Sequence, residues 1–269
     1  MSKIQKMYRY ISPVDCLIDT EIREYDISKA NISVLTEKGY LGPDQYQALL
    51  VADKMEREIF IGKLIGNNSK ASAALSEGIL EAKEKFFNAN GIEYNDVLEI
   101  DNDAVYIIGS RPITVQQVSP LVYFRLAERY TSFYSVKKIR YYYYSSRFDN
   151  SEKLNPKGLG EYAIGLHKNF MLDFLSELFY TNQYEGVESG LRLLASFHQT
   201  YCSRMLPIEY YRNLNPQSMY SIVNFDQYAR YFTTIYQDPR FKSIIDISYN
   251  ERLLREFNQL LSLKYFRKE

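Results

Sequence analysis

Asp26, Asp101 and Asp103 are the residues whose type and setting could do chemistry. Asp101-Asn102-Asp103 sits inside Val97-Leu-Glu-Ile-Asp-Asn-Asp-Ala-Val-Tyr-Ile-Ile-Gly109. One apolar run climbs to two acids and a second leaves them at once, which reads as a tight β-hairpin with carboxylates at its tip. Asp26 lies near the end of Ile22-Arg-Glu-Tyr-Asp-Ile-Ser28, a short strand. If the two stretches are neighbours in one sheet, three carboxylates converge. Like charges that close repel, so such a cluster calls for cations. That is the layout of a two-metal phosphoryl-transfer site. The plainer alternative is a turn of solvated acids, since Asp and Asn are ordinary turn residues.

Several elements must position these acids. The spacing predicts a strand over 21–27 and an irregular lead-in over 1–20 with one short strand. Ser28 then N-caps a helix from Lys29 to Glu37, stopped by Gly39. Gly42-Pro43-Asp44 opens a helix that runs to about Ile65, with Leu49, Leu50, Met55, Ile59, Phe60 and Leu64 at helical spacing. Gly66-Asn67-Asn68-Ser69 breaks it. Ala71, Ala74, Leu75, Ile79, Ala82 and Phe86 mark the next helix, closed by Asn90-Gly91. After the hairpin, 113–115, 121–124 and 136–144 read as strands rich in β-branched and aromatic residues. Residues 148–160, with Asn155, Pro156, Gly158 and Gly160, read as a linker. That divides the chain into 1–150 and 151–269. Beyond the linker, helical runs follow: Leu166 to Phe179, Val187 to Tyr201 and Leu253 to Leu261. The expected class is α+β, a small mostly antiparallel sheet with helices on one face and a helical C-terminal part.

Composition narrows the function classes. Lys and Arg number 33 and so do Asp and Glu, so any nucleic-acid binding must use a local patch rather than net charge. Cys16 and Cys202 are too few and too far apart for a disulfide framework, which makes a reducing compartment the expectation. His167 and His198 have no metal-ligand spacing. No apolar run has transmembrane length and the N-terminus does not read as a signal peptide. The expected location is the cytoplasm, a host's if the chain is viral, with no membrane partner.

Tyr25-Asp-Ile-Ser-Lys-Ala-Asn-Ile-Ser33 resembles the first palm motif of family B DNA polymerases. Asp101-Asn-Asp-Ala-Val-Tyr-Ile107 resembles their Asp-Thr-Asp-Ser hairpin. Between them, Lys63-Leu-Ile-Gly-Asn67-Asn68-Ser69 is similar to the finger-helix motif, with Asn-Ser one place late. Val136-Lys137-Lys138-Ile-Arg140-Tyr141 looks like the family's basic-aromatic strand that grips duplex DNA. The likeness covers about residues 22–145, and the later helices fall where a thumb would.

The resemblance implies a minimal template-dependent nucleotidyltransferase. Asp26 and Asp103 would hold two Mg2+ (or Mn2+) ions, with Asp101 accessory and the Ile27 carbonyl an extra ligand. Lys63 and Arg57 would meet the triphosphate, their alternative being a solvated helix face. Asn31 falls where the family carries a ribose-excluding Tyr, so the sugar preference stays open. Asn67 would touch the templating base or simply join two helices. Lys137, Lys138, Arg140 and Tyr141 would bind nucleic acid, or protect an exposed edge strand. Implied partners are primer-template, deoxynucleoside triphosphates and other protein subunits. There is no segment for a proofreading exonuclease, and the stretch between the acids is short for the family. The alternative function is a catalytically inactive palm-like or unrelated α+β interaction subunit of a viral replication, transcription or virion complex. It is motivated by zero net charge and by 26 Tyr, a residue favoured at interfaces. A nuclease using the same acids is the third reading.

Overall fold

Strands β1 (Arg9–Ile11), β2 (Cys16–Leu17) and β3 (Ile22–Ile27) open the computed structural model, which describes residues 9–136, 139–144, 153–157, 173–203, 205–206 and 247–266. The structure is mixed α+β with two sheets. Two compact units form, one within Met1–Pro13 and Glu21–Arg129, the other within Val14–Thr20 and Tyr130–Glu269. The division expected at residue 150 thus falls at 129/130.

In the first unit β3 leads into α1 (Ala30–Glu37), α2 (Pro43–Val51), α3 (Lys54–Asn67) and α4 (Ser69–Asn90). Then come β4 (Val97–Asp101), β5 (Ala104–Ile108) and β6 (Phe124–Tyr130), in the sheet order β1-β4-β5-β3-β6. Asp101 pairs with Ala104, so Asn102 and Asp103 alone make the hairpin turn. Asn102 takes φ 50, a left-handed conformation that Asn tolerates better than most residues. On the other side of β5, Asp26 also pairs with Ala104. The sheet is held by an apolar layer between it and the helices. Phe86 of α4 is fully buried, stacks on Phe124 at 4.1 Å between ring centres and meets Tyr25 at 5.6 Å. Where α1 crosses α4 the contact falls on Gly78, because a Cβ there would collide with Val34 Cγ1.

Three local expectations need correction. Ser28 is not the cap of α1. Its N–H donates to the Tyr123 carbonyl at 2.9 Å, just past the end of β3, and Lys29 caps instead with φ 50. The helix expected from 43 to 65 is two helices. Ala52 and Asp53 are extended, and Asp53 caps α3 by accepting from the Glu56 N–H at 2.8 Å. The strand expected at 121–124 lies at 124–130, and no strand forms at 113–115. The alternation Phe124-Arg-Leu-Ala-Glu-Arg-Tyr130 carries enough charge to read as a loop.

Asn68, expected only within the break before α4, caps that helix by accepting from Lys70 and Ala71 N–H, and Gly91 ends it at φ 59, where the sequence predicts its end.

The second unit holds the sheet β2-β7-β8-β9, with β7 (Ser132–Val136), β8 (Ile139–Tyr144) and β9 (Lys153–Lys157). It also holds α5 (Leu175–Tyr184), α6 (Val187–Cys202) and the C-terminal α7 (Ile247–Phe266). Residues 153–157, expected as linker, pair with β8 as an edge strand, where Pro156 is tolerated. Tyr134 lies flat on Phe179 at 4.1 Å, and Phe257 of α7 packs against Tyr141 at 5.6 Å. Leu166, His167 and Phe170 lie outside the described residues. Among the described residues no helix is long and apolar enough to cross a membrane.

Candidate functional site at the lip of the first sheet

The pairings of β5 with β3 and with β4 decide the site. They bring Asp26 beside a turn that lies far along the chain. Ile27 N–H donates to the Asp103 carbonyl at 3.2 Å, which ties the end of β3 to the hairpin tip. Asp26 and Asp103 then line one cleft of about 450 Å³, with Asn31, Arg57 and Arg125 among its walls.

The three acids have different surroundings. Asp26 accepts two hydrogen bonds from Arg125, Nε to Oδ1 at 2.7 Å and Nη2 to Oδ2 at 3.0 Å. A forked pair of this kind uses both carboxylate oxygens. It also holds the Arg125 guanidinium more firmly protonated than usual. Asp101 has a longer contact, 3.5 Å, to the exposed Arg9. Asp103 is half-buried. Burial pushes its carboxyl above the ordinary carboxylate range, and the charges of Asp26 and Asp101 push the same way, against its own backbone N–H and Lys83.

Beneath the tip lies Lys83 of α4, with no exposed surface. Its Nζ donates to the Asn102 carbonyl at 2.9 Å. Burial pulls its ammonium down to about 8, while Asp103 and Asp101 hold it up. The hairpin tip therefore rests on a buried cation, which offsets part of the repulsion among the acids.

Basic groups line the other wall. Lys29 donates to the Leu50 carbonyl at 2.7 Å, and Arg57 to the Ala52 carbonyl at 2.5 Å. Both hydrogen bonds fix the groups where α2 gives way to α3. Lys54 also faces the cleft, 3.7 Å from Glu58.

The residues singled out from the sequence separate into three sets. Asp26, Ile27, Asn31, Arg57 and Asp103 line the cleft, with Asp101 next to it on β4. Lys63 and Asn67 are exposed on α3 and do not line it. Tyr141 is fully buried against Phe179 and Phe257, so its reading as a nucleic-acid contact is corrected: it is core. Lys137 and Lys138 lie outside the described residues, and Arg140 is partly buried in β8.

Sequence reasoning missed Arg125 and Lys83. Lys83 had a signal, since it falls four residues after Ile79 and three before Phe86, on the apolar face of its helix. Arg125 had none in its local sequence.

Residues 4–264 match the family described as Bacteriophage PBS1 gene 130 protein. The chain belongs to that family. No curated protein matches it. It is a phage protein, and its site must be read from its own residues.

A divalent metal is the group that the acidic lip would call for. Among the described residues no three His, Cys, Asp or Glu side chains form a group that could hold one. Two carboxylates, Asp26 and Asp103, do face one cleft beside basic side chains. That donor set suits Mg2+ bound through one or two carboxylates together with substrate phosphates, not an all-protein cage. Asp103 adds a reason: its desolvated carboxylate gains from a nearby cation.

Proposed function

We propose that this phage protein is a nucleotidyltransferase built on a palm-like sheet, with the cleft as its nucleotide site. What carries the reading is the meeting of Asp26 and Asp103 at one cleft, through the direct pairing of β3 with β5, strands far apart along the chain. The sheet order supports it, because the strand with Asp26 sits directly beside the hairpin with Asp101 and Asp103.

In this reading Asp26 and Asp103 hold Mg2+ or Mn2+ with the nucleotide's phosphates, and Asp101 adds negative charge beside them. The Ile27 carbonyl is the further oxygen donor on that wall. Bound divalent ions supply charge neutralisation, acidify the attacking hydroxyl and steady the leaving pyrophosphate. Arg57 and Lys29, anchored by their hydrogen bonds to backbone carbonyls, present positive charge to the triphosphate. Asn31, exposed at the cleft, stands toward the sugar or base. Arg140, with Lys137 and Lys138, is the proposed contact to the primer-template backbone. The reaction would take place in the host cytoplasm.

The test is incorporation of a labelled deoxynucleotide on a primer-template with Mg2+ or Mn2+. Extension by the wild type that is lost in Asp26→Asn and in Asp103→Asn supports the reading. Extension that survives either change rejects it.

The Asp26–Arg125 pair favours a second reading, since it neutralises the acid without a metal. The chain would then be an inactive palm-like subunit of a phage replication, transcription or virion complex. No incorporation, with stoichiometric binding to another subunit, would select it.

A further inference from the structure

Arg125 is placed by strand register. Ser28, just after β3, donates its N–H to the carbonyl of Tyr123, just before β6. Two residues back on one strand and two on from the other, Asp26 meets Arg125, and the guanidinium takes both carboxylate oxygens. A metal ion at Asp26 needs at least one of those oxygens. Guanidinium and metal therefore compete for one ligand. The arginine has room to leave, since its side chain is 58% exposed against 23% for Asp26. It also has somewhere to go: it lines the same cleft as Arg57 and Lys29, the groups proposed above to meet the triphosphate. Asp26 and Asp103 are the acids that face it.

We propose that Arg125 is a built-in counter-ion, which a divalent metal displaces from Asp26 and which then binds the phosphate of the incoming nucleotide. This rests on the cleft being a metal-dependent nucleotide site. It goes further by giving one side chain two successive partners. Before loading, the guanidinium keeps Asp26 neutralised beside Asp103 and so limits the repulsion between them. After loading, the freed fork matches phosphate oxygens, a geometry a lysine does not offer. Metal and nucleotide then favour each other, because each draws one of the two charges apart.

The test measures Mn2+ binding by loss of the free-ion electron paramagnetic resonance signal, first with the protein alone. Wild type, Arg125→Gln, Arg125→Lys and Asp26→Asn are compared. Arg125→Gln is expected to bind Mn2+ about five-fold more tightly, which is about 1 kcal/mol. Arg125→Lys, with a single point charge, falls between, and Asp26→Asn binds weakly. With Mn2+ saturating, a deoxynucleoside triphosphate is then titrated in. Arg125→Gln is expected to bind it about ten-fold more weakly, as for loss of a charged hydrogen bond. Opposite signs for metal and nucleotide are the signature, since simple damage to the fold would weaken both. Equal Mn2+ affinity in wild type and Arg125→Gln overturns the competition while leaving the metal site standing. No protein-dependent Mn2+ binding by any of the proteins, either alone or with the deoxynucleoside triphosphate present, overturns both the competition and the nucleotidyltransferase reading.

Discussion

Arg125 grips Asp26 by both carboxylate oxygens, at 2.7 and 3.0 Å, across two neighbouring strands of the first sheet. The pair sits at a cleft mouth and most of the arginine is in solvent, so screening limits its contribution to stability. Asp26→Asn is therefore expected to shift folding stability by less than about 1 kcal/mol. Urea denaturation of the two proteins checks this. A much larger loss would make the pair a structural strut.

Asp103 gives a prediction of the opposite kind. Its folded carboxyl is held above the ordinary value of 3.8, mainly by burial. A raised acid favours folding when protonated, so this group's contribution to stability is fullest below about pH 4 and is lost as pH rises through the folded value. Asp103→Asn removes that loss. It is expected to stabilise the protein at pH 7 by roughly 0.5–2 kcal/mol while abolishing nucleotide incorporation. Thermal melting at pH 7 is the check, and a lower melting temperature would count against the burial argument.

Lys83 titrates in the folded chain at about 8, below its ordinary 10.5. Between those values the unfolded chain binds more protons, so this group makes stability climb as pH rises through the window. Lys83→Met keeps the volume and removes the proton. From about pH 7.5 to 10.5 the wild-type urea midpoint should rise relative to that of Lys83→Met. A constant difference would show that Lys83 does not titrate there.

Phe86 joins the helix layer to the strand that carries Arg125, by stacking on Phe124. Phe86→Ala should cost about 3–5 kcal/mol, as for other buried aromatic truncations. It should also loosen the cleft, since Tyr25, the residue before Asp26, touches the same ring. Amide hydrogen exchange over β3 and β6 reads that loosening. Unchanged protection there would place the support of the site elsewhere.

Much of the site's frame was legible because alternation and turn chemistry are local. The runs around Asp26 and Asp101-Asn102-Asp103 carry their strand and hairpin in their own residue types, and Asn68 and Gly91 mark the ends of α4. The partners of those acids were not legible. Arg125 meets Asp26 only through the β3–β6 register, a tertiary fact. The spacing of Lys83 from Ile79 and Phe86 puts it on the apolar face of α4, but its place beneath the hairpin tip is known only from packing. The tyrosine run misled for a similar reason. A phenol serves a core and a binding surface equally well, and Tyr141 to Tyr143 turned out to be core. Asp53 falls inside the single helix that the spacing predicts, and is instead the cap that splits it in two.

Anomalous scattering from Mn2+, in crystals grown with a non-hydrolysable deoxynucleoside triphosphate, tests the central claim most directly. The account predicts a manganese peak between the Asp26 and Asp103 carboxylates, with phosphate oxygens completing its shell and Arg125 turned away from Asp26. Nucleotide bound with no peak at those carboxylates, and Arg125 still clasping Asp26, would contradict it.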